Sequence, residues 1–234
     1  MSIETVFLDA GGVLVMPNWD RVSAIFKRHG IQVDATTLRS VEPAARFAID
    51  SAYAAAKTDM DRGGSYFNGV LDRAGVARGA ARDAALAEVY AYHMERNLWE
   101  DVPEGVVPTL EHLRSMGLTL AVASNANGVL HRCFDRLGLT PFFDVICDSA
   151  LEGVEKPDRR FFELLLERSG SRRETTVHVG DLYHVDVVGA RNAGIRALLL
   201  DPLGLYDACD ADRISALSQV IDRIESAPPT PSPS

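Results

Sequence analysis

The stretch Val6-Phe7-Leu8-Asp9-Ala10-Gly11-Gly12-Val13-Leu14 (VFLDAGGVL) decides how the chain is read. Its first half, Thr5–Leu8, is an apolar run too short for a helix and without the alternation of a half-wetted strand. Such a run suits a strand buried on both faces of a parallel sheet. It then stops on a carboxylate. In an open α/β sheet, ligands bind beyond the carboxyl ends of the strands, so Asp9 stands where chemistry is done.

Four further runs share this character: Leu118–Ala123, Phe143–Cys147, Thr176–Val179 and Ile195–Leu200. Helix-period segments lie between them. Val107, Leu110 and Leu113 recur at three-residue spacing before Gly117, a C-cap candidate. Phe161, Leu164, Leu165 and Leu166 follow Asp158, an N-cap candidate beside Pro157, and Val185–Ala193 closes on Gly194. Alternating strands and helices predict a doubly wound α/β fold with a parallel sheet and right-handed connections.

From Pro17 to Trp99 this rhythm breaks. The segment is rich in Ala, Arg and Asp, carries helical spacing such as Val22, Ile25 and Phe26, and shows punctuation at His29-Gly30, Gly63-Gly64 and Gly79. It reads as an all-helical insertion after the first strand. The expected organisation is an α/β core from residues 1–16 and 101–226, a helical domain at 17–100, and a Pro/Ser-rich tail at 227–234 expected to be disordered.

Composition narrows the function classes. With 234 residues, 47% of them hydrophobic and 24% charged, the chain is an ordinary globular protein. A net charge of -9 provides no positive field for nucleic acid or an anionic membrane surface, so neither is an expected partner. No apolar run approaches the length of a membrane span, and the N-terminus lacks the basic start of a signal peptide. Cys133, Cys147 and Cys209 are odd in number and form no C-x-x-C pair, so reduced thiols in a cytoplasmic protein are expected. Oligomeric state is left open.

The polar residues that end the buried runs form a constellation. Asp9 ends the first, Ser124 and Asn125 the second, and Asp181 follows Thr176–Val179; Lys156 lies in the loop after Phe143–Cys147. Lys156 is one of only three lysines, with Lys27 and Lys57, in a chain whose other basic residues are arginine. A compact point charge suits a place where several acids converge.

These residues resemble the four motifs of the haloacid dehalogenase (HAD) superfamily. VFLDAGGVL is similar to motif I, VASN (Val122–Asn125) to motif II, EKPD (Glu155–Asp158) to motif III and VGDLYHVD (Val179–Asp186) to motif IV, in the family's order. The helical insertion falls where the family's C1 cap lies. The resemblance implies a hydrolase in which Asp9 is the nucleophile and Mg²⁺ is held by Asp9, the Gly11 carbonyl, Asp181 and Asp186. It also implies that Ser124, Asn125 and Lys156 hold the phosphate of a small phosphorylated substrate, with Ser124 and Lys156 acting in catalysis. Three convergent carboxylates need compensating charge, and Mg²⁺ prefers such oxygen donors.

One position departs from the pattern. Most HAD phosphatases carry a second aspartate two residues after the nucleophile as general acid and base, a role worth about 10²–10⁴-fold; here Gly11 stands there. Tyr183, His184, His29 or His93 are candidate replacements. Alternatively the chain is a 2-haloacid dehalogenase-like hydrolase, a phosphonoacetaldehyde hydrolase-like enzyme using Lys57, or a non-catalytic HAD-like binding protein. Retention of both Asp181 and Asp186 favours the metal-dependent reading, since the resemblance implies that dehalogenases replace the first of them. His178, alternating with Val177 and Val179, is read as a core or supporting residue, and GARNAG (Gly189–Gly194) as helix packing and a C-cap. Trp19, Arg46, Tyr66, His93 and Trp99 belong to the insertion and are not ranked by the sequence.

Overall fold

The computed structural model describes residues 2–52 and 59–226, without the side chains of 59–64. Lys57 and the tail at 227–234 lie outside the described residues. In chain order the elements are β1 (Thr5–Leu8), β2 (Met16–Pro17), α1 (Trp19–Arg28), α2 (Ala35–Ser51), α3 (Asp59–Arg73), α4 (Ala80–Arg96) and β3 (Trp99–Asp101). Then follow α5 (Val106–Ser115), β4 (Thr119–Ser124), α6 (Leu130–Leu137), β5 (Val145–Asp148), α7 (Ser149–Glu152), α8 (Arg159–Ser169) and β6 (Thr176–Gly180). The chain closes with α9 (Val188–Asn192), β7 (Arg196–Leu200), β8 (Asp212–Ile214) and α10 (Gln219–Glu225). It divides into two compact units, Met1–Met16 with Val102–Ser234, and Pro17–Asp101.

The first unit is built on a six-stranded sheet of order β5-β4-β1-β6-β7-β8, and every pairing is parallel. β1 and β6 are buried at every residue, as their unbroken apolar runs require, while the edge strands β5 and β8 are only partly covered. The chain builds outward from β1 through β4 to β5, then returns to lay β6 on the other side of β1. That reversal is a topological switch point, and the crevice there opens past the ends of β1 and β6. β8 has no counterpart among the apolar runs: Asp212-Arg213-Ile214 is short and polar, as an edge strand tolerates.

Helix termini follow local chemistry. The Asp158 side chain accepts from Arg160 N–H at 2.9 Å and caps α8. Gly117, at φ +77, ends α5, and Gly194, at φ +76, turns the chain into β7. Where one helix was expected over Val185–Ala193, a π-helical turn over Tyr183–Val187 precedes α9. Gly189 on α9 serves close packing: a Cβ there would lie 2.9 Å from both Phe162 Cε2 and Pro157 Cα. Cys133 and Cys147 are buried and Cys209 is half-buried, none of them in a disulfide, and burial pushes the Cys147 thiol up to about 11. No helix among the described residues is long and apolar enough to cross a membrane.

Among the described residues the second unit comprises the helices α1–α4 around a core of their own, in which Trp19, Val22 and Phe26 of α1 meet Leu38, Phe67 and Val89. Arg82 is fully buried and satisfied: it donates to Asp72 Oδ1 at 2.6 Å, Asn68 Oδ1 at 2.7 Å and Val76 O at 2.8 Å, tying the end of α3 to α4. Gly63-Gly64, expected as punctuation, instead lies within α3, because burial of Phe67, Val70 and Leu71 outweighs glycine's cost of about 1 kcal/mol per residue. The chain turns at Gly75, φ +75. His93 Nδ1 accepts Leu98 N–H at 3.2 Å, and its ring meets Trp99 edge-on at 5.2 Å. Burial pushes this imidazole down to about 4.

Gly189→Ala should therefore destabilise the first unit by about 1–3 kcal/mol through overpacking, measured by urea unfolding. For His93, the folded value lies below the roughly 6.5 of an unfolded histidine, so the unfolded chain binds more protons between the two. Stability is expected to fall as pH drops from about 6.5 to about 4, and His93→Gln should remove that part of the pH dependence in thermal melts.

Candidate active site

Each polar residue reaches the carboxyl edge of the sheet by a different route. Leu8, the last residue of β1, registers with Val122 of β4 and Val179 of β6, so Asp9 emerges between their ends. Its N–H still donates to Val179 O at 2.9 Å, which fixes its backbone to the sheet. The chain then turns sharply: Leu14 and Val15 N–H both donate to Ala10 O at 2.9 Å, and Gly12, at φ +84, donates to Val15 O at 2.9 Å. Gly11 bridges to Val15 in this turn and is not among the glycines with positive φ, so its backbone does not demand glycine.

Lys156 brings these acids together. It is 1% exposed, and its Nζ lies 2.9 Å from Asp9 Oδ1 and 2.7 Å from Asp186 Oδ1. His178 Nε2 lies 3.0 Å from the same Asp186 oxygen, while Leu182 N–H donates to Asp186 Oδ2 at 3.1 Å. Asp9, Asp181 and Asp186 each offer an oxygen, all within 4.8 Å of one another, and all three residues are buried. Gly180 makes room for this: a Cβ there would fall 2.1 Å from Asp186 Cγ. The Asp186 carboxylate occupies the space beside the β6 backbone that any other residue at 180 would fill.

Electrostatics set the demands of the site. Three carboxylates against one ammonium leave two negative charges to be offset. Burial raises the Asp9 carboxyl well above its usual range, Asp186 and Asp181 add to the rise, and Lys156 offsets only part of it. Burial also acts on Asp186, but Lys156 and the His178 N–H outweigh it and hold this acid well below the ordinary carboxylate range. Burial opposes the charge on Lys156, yet Asp186 and Asp9 hold it above the usual lysine value. Burial keeps His178 neutral, so it donates to Asp186 without adding charge. An all-oxygen donor set short of two positive charges matches a hard divalent cation such as Mg²⁺.

Ser124 ends β4, buried, in register with Asp148 on β5. Asn125, expected to hold phosphate, has its carboxamide engaged elsewhere: Oδ1 accepts Lys156 N–H at 2.8 Å and Nδ2 donates to Lys156 O at 2.9 Å. The loop after Ser124 is tied to the end of β5, where Asp148 accepts Gly128 N–H at 2.9 Å and Leu130 N–H at 3.2 Å, and Ser149 Oγ accepts Ala126 N–H at 3.2 Å. Tyr183 and His184 lie in the π-helical turn between Asp181 and Asp186, ring against ring at 5.2 Å. His29 Nε2 is 2.8 Å from Glu88 Oε2 and His93 accepts a backbone N–H, so each has work within the helical unit. Sequence reasoning did not assign the roles of His178, Gly180, Asp148 and Ser149. Only His178 left a signal, as a polar residue alternating with valines in a buried strand.

The chain resembles known proteins in sequence and in fold. The model of the haloacid dehalogenase-like hydrolase family matches residues 3–194. A ribulose-1,5-bisphosphate 5-phosphatase of Halopiger xanaduensis is 35% identical over 60% of this chain; the match spans 59% of that protein, less than two-thirds of its length. Among solved structures, the HAD-hydrolase YfnB of Bacillus subtilis, bound to magnesium, superposes with a TM-score of 0.71 at 17% identity, covering 96% of this chain and 99% of that one. A 2-haloacid dehalogenase of Pseudomonas syringae gives a TM-score of 0.59 at 26% identity, with 95% and 98% covered. The family match covers the whole polar constellation, from Asp9 through Ser124 and Lys156 to Asp186, and the chain belongs to the haloacid dehalogenase-like hydrolases.

Proposed function

We propose that this hydrolase is a phosphatase acting on a small phosphate ester, with Asp9 as nucleophile and Mg²⁺ as cofactor. The observation that carries this reading is the buried grouping of Asp9, Asp181 and Asp186 around Lys156, two positive charges short of balance. In this reading Asp9, the Gly11 carbonyl and Asp181 hold the cation, with Asp186 beside them. The bound cation supplies charge stabilisation for a transferring phosphoryl group. A phosphatase among the relatives supports the substrate class. The helical unit, inserted in sequence after β1, is read as a C1-type cap that selects the substrate, and free cysteines accord with a cytoplasmic setting.

The steps follow from the residues. An Asp9 carboxylate oxygen forms a bond to phosphorus while the ester P–O bond breaks, leaving an aspartyl phosphate and an alkoxide. Lys156 offsets the growing charge, and Ser124 orients the phosphoryl oxygens. Water then attacks phosphorus, the bond to Asp9 breaks, and phosphate leaves with Asp9 restored. Gly11 has no carboxyl to protonate the alkoxide or to activate the water. Good leaving groups should be favoured, and the aspartyl phosphate should be slow to hydrolyse.

Gly11 also favours a second reading, a dehalogenase, in which a halide leaves without a proton; the likeness to the Pseudomonas enzyme supports it. The two readings diverge over the cation, since a dehalogenase has no use for the charge balance that Asp181 and Asp186 call for.

An aryl phosphate should be hydrolysed with Mg²⁺ and not with EDTA, and Asp9→Asn should lower the rate by at least about 10³-fold. Undiminished turnover by that variant removes Asp9 from the mechanism; chloride released from a 2-haloacid in EDTA favours the dehalogenase. Gly11→Asp should raise kcat/KM, which reports formation of the aspartyl phosphate, by about 10²-fold for alkyl phosphates and much less for aryl phosphates. No gain in kcat/KM for alkyl phosphates would show that another group already supplies the proton.

A further inference from the structure

We propose that Asn125 is a positioning residue for Lys156, fixing the main chain from which the ammonium reaches both acids; the inference rests on the phosphatase reading above. The two residues lie on different loops, 31 positions apart, and are joined by a reciprocal pair of hydrogen bonds. The carboxamide matches the peptide group of Lys156 end to end: its oxygen meets the N–H at 2.8 Å and its nitrogen meets the carbonyl at 2.9 Å. Among residues of this size only asparagine offers a donor and an acceptor in that geometry. Aspartate would set a second oxygen against the Lys156 carbonyl.

The clamp is anchored in turn. The loop that carries Asn125 is held to the end of β5 through Ser149, which takes Ala126 N–H, and Asp148, which takes Gly128 and Leu130 N–H. A line of fixed contacts thus runs from the sheet through Asp148, the loop and Asn125 to the Lys156 backbone. It matters because the lysine side chain has many rotamers, and its Nζ must meet Asp9 at 2.9 Å and Asp186 at 2.7 Å simultaneously. A side chain of fixed length meets two points only if its Cα is held, and a misplacement of about 1 Å at such a group can cost about 10²-fold in rate. Asn125 therefore acts through Lys156 and not through its own contact with the phosphoryl group.

A double-mutant cycle tests this, using the full chain with Mg²⁺ and orthovanadate as the phosphoryl mimic. Asn125→Ala and Asn125→Asp should each weaken vanadate binding and lower kcat by about 10–100-fold in the wild-type background. In the Lys156→Met background the same substitutions should change vanadate affinity by less than about 2-fold, because the group they position is gone. A general loss of structure predicts the opposite, equal losses in both backgrounds. Additive effects, or unchanged vanadate affinity in both Asn125 variants, would overturn the proposal. Should Asn125→Ala not fold, the isosteric Asn125→Asp carries the cycle alone. A wild-type protein that neither binds vanadate nor hydrolyses phosphate esters would instead defeat the phosphatase reading, and this inference with it.

Discussion

The buried Lys156 ammonium, shared between Asp9 and Asp186, is the interaction on which the site depends. A buried ammonium without partners would lose its proton, and three buried carboxylates without it would compete for protons of their own. Lys156 keeps its charge because Asp9 and Asp186 are beside it, and Asp186 keeps its own because Lys156 is; Asp9, pushed up by burial and by the other acids, is the group still in want of positive charge. Breaking such a set by removing one member leaves the rest uncompensated, so the constellation behaves as a unit. It is nevertheless two positive charges short, and that deficit is the physical reason to expect a divalent cation.

The fold makes this concentration of charge possible. Parallel strands bring all their carboxyl ends to one edge, and the switch between β1 and β6 opens a crevice where Asp9 and Asp181 stand. Two glycines then permit approaches that other residues would block. Gly180 admits the Asp186 carboxylate against the β6 backbone, and Gly189 lets α9 sit against Phe162 and against Pro157, the residue after Lys156. His178, neutral and fully buried, completes the shell of donors on Asp186.

The parallel core was legible in the sequence because strands buried on both faces must be apolar throughout, and Thr5–Leu8 and Thr176–Val179 are. The placement of Asp9, Ser124 and Asp181 at the carboxyl edge of the sheet was legible for the complementary reason, that a polar residue at or just past the end of such a run stands at that edge. What side chains do once there was less legible. Asn125 falls at the right strand end to meet phosphate, yet its carboxamide turns to the Lys156 backbone, a partner 31 positions away that no local pattern reveals. Gly180, the last residue of β6, shows its role only once the Asp186 side chain is in place against it. β8 escaped because an edge strand needs little apolar surface, and Gly63-Gly64 misled because burial along α3 overrides propensity.

In the proposed mechanism Gly11 gives the chemistry its particular character. A nucleophile without its usual acid and base neighbour should form an aspartyl phosphate readily from a good leaving group and release it slowly. The direct measurement is mass spectrometry of the protein acid-quenched during turnover of an aryl phosphate with Mg²⁺. The account predicts a phosphoryl adduct on the peptide containing Asp9, absent in EDTA. Sustained, Mg²⁺-dependent turnover with the adduct on another residue would contradict it.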